Sequence, residues 1–151
     1  MIPTETPEAP PQVVLDTNAV LDWLVFRDVG MSPLAAAIEA GRLRWITTPR
    51  MREELLRTLS YSGLAKWTPN SQLTLTLFDR LSKQHLEPPP SRSGPLICTD
   101  PDDQVFIDLA ITQEARWLVS HDRALHKLAR AAAKAGVKIV RPRDWHEGVA
   151  G

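Results

Sequence analysis

Residues 13–18 read Val-Val-Leu-Asp-Thr-Asn, and this short segment gives the first indication of the fold. Three consecutive apolar residues followed by a polar turn are typical of a buried strand. Residues 117–122 read Trp-Leu-Val-Ser-His-Asp and have a similar order of apolar and polar positions. The sequence therefore predicts two strands that each lead into an aspartate, Asp16 in the first case and Asp122 in the second.

Strand and helix signals alternate over the rest of the chain. Two further strands are predicted at 43–47 and 137–140, and Pro142 stops the second of them. Alternating strands and helices indicate a parallel sheet with helices on both faces, in which ligands bind at the carboxyl ends of the strands. Asp16 and Asp122 are both predicted to lie at such an end.

Helix starts are marked at three places by a capping residue followed by proline. Proline suits the first helical position because its missing N–H needs no partner there. The three signals are Ser32-Pro33, Thr48-Pro49 and Thr68-Pro69. The predicted helices cover 19–26, 32–41, 49–61, 69–85, 102–115 and 123–135, with a Pro-rich loop at 87–95.

The composition indicates one ordinary domain. The chain has 151 residues, of which 43% are apolar, enough for a hydrophobic core. The 18 basic and 18 acidic side chains cancel, so any contact with nucleic acid needs a local basic patch. Cys98 is the single cysteine, which rules out an intrachain disulfide and fits a cytoplasmic protein.

Three segments are predicted from the distribution of residues. Residues 1–12 contain several prolines and no secretion signal, and we expect a disordered N-terminal lead. Residues 13–146 form the folded domain, and residues 147–151 form a C-terminal tail. No apolar run approaches the length that a membrane span needs.

Two acidic residues of the first half are candidates for a functional site. Thr17 and Asn18 can both cap the helix that follows, so we expect Asp16 to be free of a capping role. In the helix from Pro49, Glu53 falls on the solvated face, where it can pair with Arg57 four residues on. Glu54 lies at the other edge of the apolar stripe and is favoured as the glutamate that points into a cleft.

Two acidic residues of the second half complete the candidate set. Asp100 and Asp102 are explained as a helix cap and as acids near the positive end of a helix. Asp103 leads the apolar stripe of the same helix and lies at its core-facing edge, whereas Asp108 is predicted to be solvated. Asp122 follows a strand and could equally cap the next helix, a role for which Ser120 competes.

The four acids together suggest a metal site. Carboxylates brought together from distant parts of a chain repel one another unless a cation is present. Oxygen ligands without a histidine or cysteine set favour Mg²⁺ or Mn²⁺ over Zn²⁺. Such a cation can activate water, orient a phosphate and stabilise the charge that develops during phosphodiester hydrolysis. The candidate residues are Asp16, Glu54, Asp103 and Asp122.

Four segments in this order resemble the PIN domains, and in particular the bacterial branch related to VapC toxins of toxin–antitoxin pairs. The resemblance covers about residues 13–145. One departure is Ala124, which stands where members of this branch often carry a further acid. The matching segments are Val-Val-Leu-Asp-Thr-Asn (13–18), Arg-Glu-Glu-Leu (52–55), Thr-Asp-Pro-Asp-Asp-Gln-Val-Phe (99–106) and Trp-Leu-Val-Ser-His-Asp-Arg-Ala-Leu (117–125).

The resemblance implies a three-layer α/β/α fold around a parallel sheet and a ribonuclease that depends on magnesium or manganese. It places the four acids in the acidic positions of the family, with Asn18 and Ser120 in polar positions that support them. It also implies a homodimer and an antitoxin partner. Two alternatives remain open: a PIN nuclease that acts in RNA processing or on structured DNA, and an inactive PIN-like binding module.

Basic residues are candidates for RNA contact. Arg50 is close in sequence to Glu54 and is able to reach a phosphate. A basic stripe at helical spacing is more simply read as the solvated face of an amphipathic helix, with RNA contact as the alternative. The stripe consists of Arg123, Lys127, Arg130 and Lys134.

Overall fold

The computed structural model describes residues 9–61 and 70–147. These ranges contain five strands and seven α-helices, with 3-10 turns at Val29–Met31, Pro101–Asp103 and Pro142–Asp144. The strands are β1 (Gln12–Leu15), β2 (Arg44–Thr47), β3 (Ser82–Gln84), β4 (Trp117–Val119) and β5 (Lys138–Val140). The helices are α1 (Thr17–Leu24), α2 (Ser32–Glu39), α3 (Pro49–Leu59), α4 (Ser71–Leu81), α5 (Gln104–Thr112), α6 (Arg123–His126) and α7 (Ala129–Lys134).

The strands form one parallel sheet in the order β3-β2-β1-β4-β5. Strand β1 lies in the centre, where Val13 pairs with Trp45 of β2 on one side and with Trp117 of β4 on the other. The chain winds from β1 to β2 in one direction and later reaches β4 in the other, so the order reverses at the β1–β4 pair. Helices flank the sheet, and the predicted α/β/α fold is confirmed.

The core lies against both faces of this sheet. Val13, Val14 and Leu15 are each no more than 2% exposed, as expected for a central strand of a parallel sheet. Tryptophan rings fill much of the remaining space: the ring centroids of Trp45 and Phe78 lie 5.1 Å apart, and those of Trp117 and Trp145 lie 5.5 Å apart, both in edge-to-face arrangements.

The capping signals identify helix starts with different accuracy. Thr48 caps α3 as predicted, because its hydroxyl accepts the N–H of Met51 at 3.3 Å. The start of α2 is shifted by one residue, since a 3-10 turn leads into the helix and makes Met31 its N-cap. Thr68 and Pro69 lie outside the described residues. Helix α4 begins after Asn70, whose side-chain oxygen accepts the N–H of Leu73 at 3.1 Å.

Two predictions on secondary structure were wrong. The helix predicted to reach 85 ends at Leu81, and the next three residues form β3, which pairs with the edge of β2. The helix predicted at 123–135 is divided into α6 and α7. At the division the N–H of Leu128 bonds to the carbonyl of Leu125 at 2.9 Å, a tighter i to i+3 turn that buries both leucines.

The prediction that Asp108 is solvated was also wrong, because this residue is only 5% exposed. The loop at 87–95 folds back over α5, and Ser91 donates to the carboxylate of Asp108 from its N–H at 3.3 Å and from its hydroxyl at 2.8 Å. Gln104 donates a third hydrogen bond at 3.0 Å. The pattern of α5 could not reveal donors that come from another segment.

Candidate metal centre

All four acids predicted as site residues line one cavity of about 250 Å³ at the carboxyl end of the sheet. Asp16, Glu54, Asp103 and Asp122 share its wall with Asn18. A larger cavity of about 370 Å³ lies elsewhere, around the Arg52–Asp79 ion pair. The smaller cavity is the candidate site because of its chemistry and its place at the reversal of strand order.

Asp16 is held at the end of β1 through both of its carboxylate oxygens. Its Oδ1 accepts the N–H of Ala19 at 2.8 Å, and its Oδ2 accepts a short hydrogen bond from the Ser120 hydroxyl. Asp16 therefore caps α1, and the prediction that Thr17 or Asn18 takes this role was wrong because the helix already begins at Thr17. The side chain is 3% exposed, and this burial raises the pKa of the carboxyl.

Ser120 connects Asp16 to the segment that carries Asp122. Its hydroxyl oxygen also accepts the N–H of Asp122 at 2.8 Å. Asp122 caps α6, because its Oδ1 accepts the N–H of Ala124 at 2.8 Å. Of the two candidates for the helix cap, Asp122 therefore takes this role, and Ser120 accepts the N–H of Asp122 instead.

His126 contacts the backbone of the segment that carries Ser120 and Asp122. Its Nε2 lies 2.6 Å from the carbonyl oxygen of Ser120, so the ring N–H donates to that carbonyl. The sequence analysis did not single out this histidine. Its position four residues after Asp122 was the available signal, because residues at that spacing lie on one face of a helix.

Asp103 lies where three other carboxylates approach it. Burial raises the pKa of Asp103 from 3.8 to about 8, helped by a hydrogen bond shared with Asp122 and by the charges of Asp122, Asp100 and Asp16. Asp103 directly precedes α5, yet its side chain makes no capping bond. Its Oδ2 is buried and has no hydrogen-bond partner among the described residues.

Asp100 was explained as a helix cap by the sequence, and the structure adds a second feature. Its Oδ1 accepts the N–H of Asp102 at 3.0 Å, which is the predicted capping bond. One carboxylate oxygen from each of Asp100, Asp103 and Asp122 also lies within 4.8 Å of the other two. This cluster was not predicted from the sequence, because an aspartate before a helix is equally suited to cap the helix and to bind a metal.

Glu54 reaches the cavity from α3, whereas Glu53 is exposed. The predicted pair between Glu53 and Arg57 was wrong, since Arg57 contacts Oε2 of Glu54 instead. Spacings of three and four residues both bring side chains together on a helix, so the sequence alone does not choose between the two pairs.

The predicted substrate-binding residues lie outside the acidic cavity. Arg50, Arg123 and Lys127 are all exposed. Arg50 lines a neighbouring cavity of about 110 Å³ to which Glu54 also belongs. Of the three, Arg50 shares a cavity with one of the four acids, whereas Arg123 directly follows another of them, Asp122, in the chain.

The residues of the cavity fit a hard divalent cation. Its acidic ligands are carboxylates alone, the donor set that Mg²⁺ and Mn²⁺ prefer. A cation would give the orphaned Oδ2 of Asp103 a partner and would offset the repulsion that raises the pKa of this residue.

Comparison with known proteins identifies a family for this chain. Residues 12–124 match the family model described as PIN domain. A search of curated proteins with the sequence returned no match.

None of the described helices is long and apolar enough to cross a membrane.

Two solved structures are similar to this chain. The crystal structure of VapBC2 from Rickettsia felis bound to a DNA fragment from their promoter has 12% sequence identity and a TM-score of 0.57, covering 85% of this chain and 96% of that chain. The PIN domain endonuclease Utp24 has 15% identity and a TM-score of 0.48, covering 83% of this chain and 81% of that chain. The similarity to VapBC2 shows a shared fold.

Proposed function

The chain belongs to the PIN domain family, and from this premise we propose that it is a magnesium- or manganese-dependent endoribonuclease. Family membership supports a nuclease in general. One observation carries the more specific proposal: four acids from separate elements line one cavity, and a buried carboxylate oxygen of one of them, Asp103, has no hydrogen-bond partner among the described residues.

The proposed site divides its tasks among these acids. Asp103, Asp122 and Asp16 hold the cation directly or through water, and Glu54 completes the site or positions the attacking water. When bound, a divalent cation supplies activation of water and neutralisation of phosphate charge. Because Oε2 of Glu54 is paired with Arg57, Oε1 is the atom that accepts a hydrogen bond from the water.

The reaction is a direct hydrolysis. Water gives up a proton to solvent as its oxygen attacks phosphorus in line with the departing sugar oxygen, the bond between phosphorus and that oxygen breaks, and the leaving oxygen takes up a proton. Ser120 keeps Asp16 and Asp122 in a fixed relative position through its two hydrogen bonds. No covalent intermediate with the protein is required.

RNA is proposed to enter over the exposed basic residues. Arg50 lines the cavity next to Glu54, so its guanidinium is placed to contact a phosphate beside the scissile bond. Arg123 and Lys127 are exposed on α6 and directly after it, where they contact phosphates farther along the strand.

The biological setting proposed is a cytoplasmic toxin–antitoxin pair. The resemblance to VapC toxins and the fold shared with VapBC2 support an antitoxin partner and a homodimer of the domain at 13–146. The antitoxin is proposed to block the acidic cavity with a lysine or arginine that replaces the charge of the cation. Co-purification from the native operon tests this point, and recovery of this chain alone would count against it.

Cleavage of RNA is tested with purified protein and a mixed RNA pool, in Mn²⁺, in Mg²⁺ and in EDTA. Asp16→Asn and Asp103→Asn are assayed beside it, with Asp144→Asn as a control that removes one charge from an exposed aspartate outside the acidic cavity. We expect metal-dependent cleavage that the first two substitutions abolish. A folded wild type that neither cleaves RNA nor binds Mn²⁺ by calorimetry would overturn the proposal, and cleavage of structured DNA alone would redirect it to that substrate.

A further inference from the structure

Asp100 and Asp122, the two neighbours of Asp103 in the acidic cluster, are held in the same way. Each uses Oδ1 to accept a backbone N–H two residues ahead, from Asp102 at 3.0 Å and from Ala124 at 2.8 Å. A capping bond of this kind fixes the rotamer of the carboxylate and leaves it a second oxygen. The two side chains are therefore oriented before any cation binds.

A capping role alone does not explain a carboxylate at residue 100. Asparagine, serine and threonine cap helices about as well as aspartate, and none of them would add a negative charge beside Asp103. The capping bond occupies Oδ1 of Asp100, and Oδ2 of the neighbouring Asp103 is buried with no hydrogen-bond partner among the described residues. A cation shared by these carboxylates would give that oxygen a partner and remove the repulsion between them.

Asp16 and Glu54 have fewer unused atoms. Both oxygens of Asp16 accept hydrogen bonds, from Ala19 and from Ser120, and Glu54 is paired with Arg57. Among the described residues, Asp100, Asp103 and Asp122 form the group in which one carboxylate oxygen from each residue lies within 4.8 Å of the other two. Oxygens bound to one cation at ordinary ligand distances are separated by less than about 5 Å.

We propose that Asp100 is a direct ligand of the divalent cation, together with Asp103 and Asp122. This inference rests on the proposed function, because it concerns the cation of the same site. It assigns Asp100 two simultaneous tasks, with one oxygen on the backbone of the turn and the other on the metal.

The test compares Mn²⁺ binding by metal-free wild type, Asp100→Asn, Asp103→Asn and Asp144→Asn, measured by calorimetry. Asparagine keeps the capping oxygen at residue 100 and removes only the charge, and Asp100→Ser provides a second variant that retains a cap. We expect Asp100→Asn to weaken Mn²⁺ affinity by about tenfold or more, while Asp144→Asn, an exposed position outside the acidic cavity, leaves it unchanged. The Mn²⁺ signal in electron paramagnetic resonance should report the same loss of bound ion.

The outcomes separate this inference from the proposed function. If Asp103→Asn abolishes Mn²⁺ binding while both folded variants at residue 100 bind as tightly as wild type, Asp100 is a cap only and the inference is wrong, although the nuclease proposal stands. If the wild type binds no Mn²⁺, the metal-dependent function and the inference are both wrong.

Discussion

Replacing Asp103 by asparagine should stabilise the metal-free protein while removing its response to metal. The folded state raises the pKa of this carboxyl from 3.8 to about 8, which corresponds to about 4 kcal/mol at pH 7 if the whole shift is counted. The cavity is open to water, and screening reduces this to about 1–2 kcal/mol. The asparagine amide can still donate to Asp122, so the variant loses the charge without losing the hydrogen bond.

The pH dependence has a definite sign. Between about pH 4 and pH 8 the folded protein holds a proton on Asp103 that the unfolded chain has released, so stability falls as the pH rises through this window. The variant lacks this titration. Its advantage over wild type should be near zero below pH 4, grow up to about pH 8 and remain constant above it.

Thermal unfolding in EDTA measures the effect. For a chain of this length, 1–2 kcal/mol corresponds to a rise in Tm of roughly 2–8 °C at pH 7. Addition of Mn²⁺ at 100 times its dissociation constant should then stabilise wild type by about 2.7 kcal/mol and the variant very little. Asp144→Asn, at an exposed position outside the acidic cavity, is the matched control. An Asp103→Asn variant that is less stable than wild type without metal, or no more stable than the control, would refute the reasoning.

Three further predictions concern other parts of the structure. Glu54→Gln should lower the initial rate of RNA cleavage by about 100-fold, while Glu53→Gln leaves this rate unchanged. A larger loss of rate in Glu53→Gln would show that Glu53, and not Glu54, is the glutamate of the site. Asp108→Ala leaves the donors of Ser91 and Gln104 without an acceptor and should lower the free energy of unfolding, measured in urea, by about 1–3 kcal/mol. The control Asp79→Ala, at an exposed position, should lower it by less than about 1 kcal/mol. Equal losses in the two variants would contradict this prediction. His126→Ala should lower the free energy of unfolding by about 1 kcal/mol and weaken Mn²⁺ affinity. The amide of His126→Gln can donate to the carbonyl of Ser120, so this variant should recover part of the stability and part of the affinity. No recovery in His126→Gln would argue against the hydrogen bond as the cause.

Much of the fold could be predicted because its strands are apolar and bounded by polar turns. β1 and β4 have this pattern, and their parallel pairing follows from the helices between them. β3 could not be predicted in the same way, since Ser82, Lys83 and Gln84 contain no apolar residue. An edge strand of this kind forms through backbone pairing with its neighbour, and backbone pairing leaves no trace in hydrophobic periodicity.

The sequence selected four acids that line one cavity, but it did not select Asp102, which lines the cavity too, and it did not predict the contacts among these residues. The sequence selected Glu54 over Glu53 from its position on α3, and the structure places Glu54 in the cavity. It did not indicate which glutamate pairs with Arg57 or that Asp100 approaches Asp103. Those contacts depend on the rotation of side chains and on turns from distant segments, which sequence spacing does not determine.

The hydrogen bond between Asp16 and Ser120 joins positions 104 residues apart in the chain. A ribosome must therefore synthesise most of the protein before the two halves of the acidic cavity can meet. For an enzyme proposed to cut RNA, we therefore expect no activity from a nascent chain that has not yet reached Ser120. Fragments released by premature termination before residue 120 would contain Asp16 and Glu54 but neither Ser120 nor Asp122, and we expect them to be inactive.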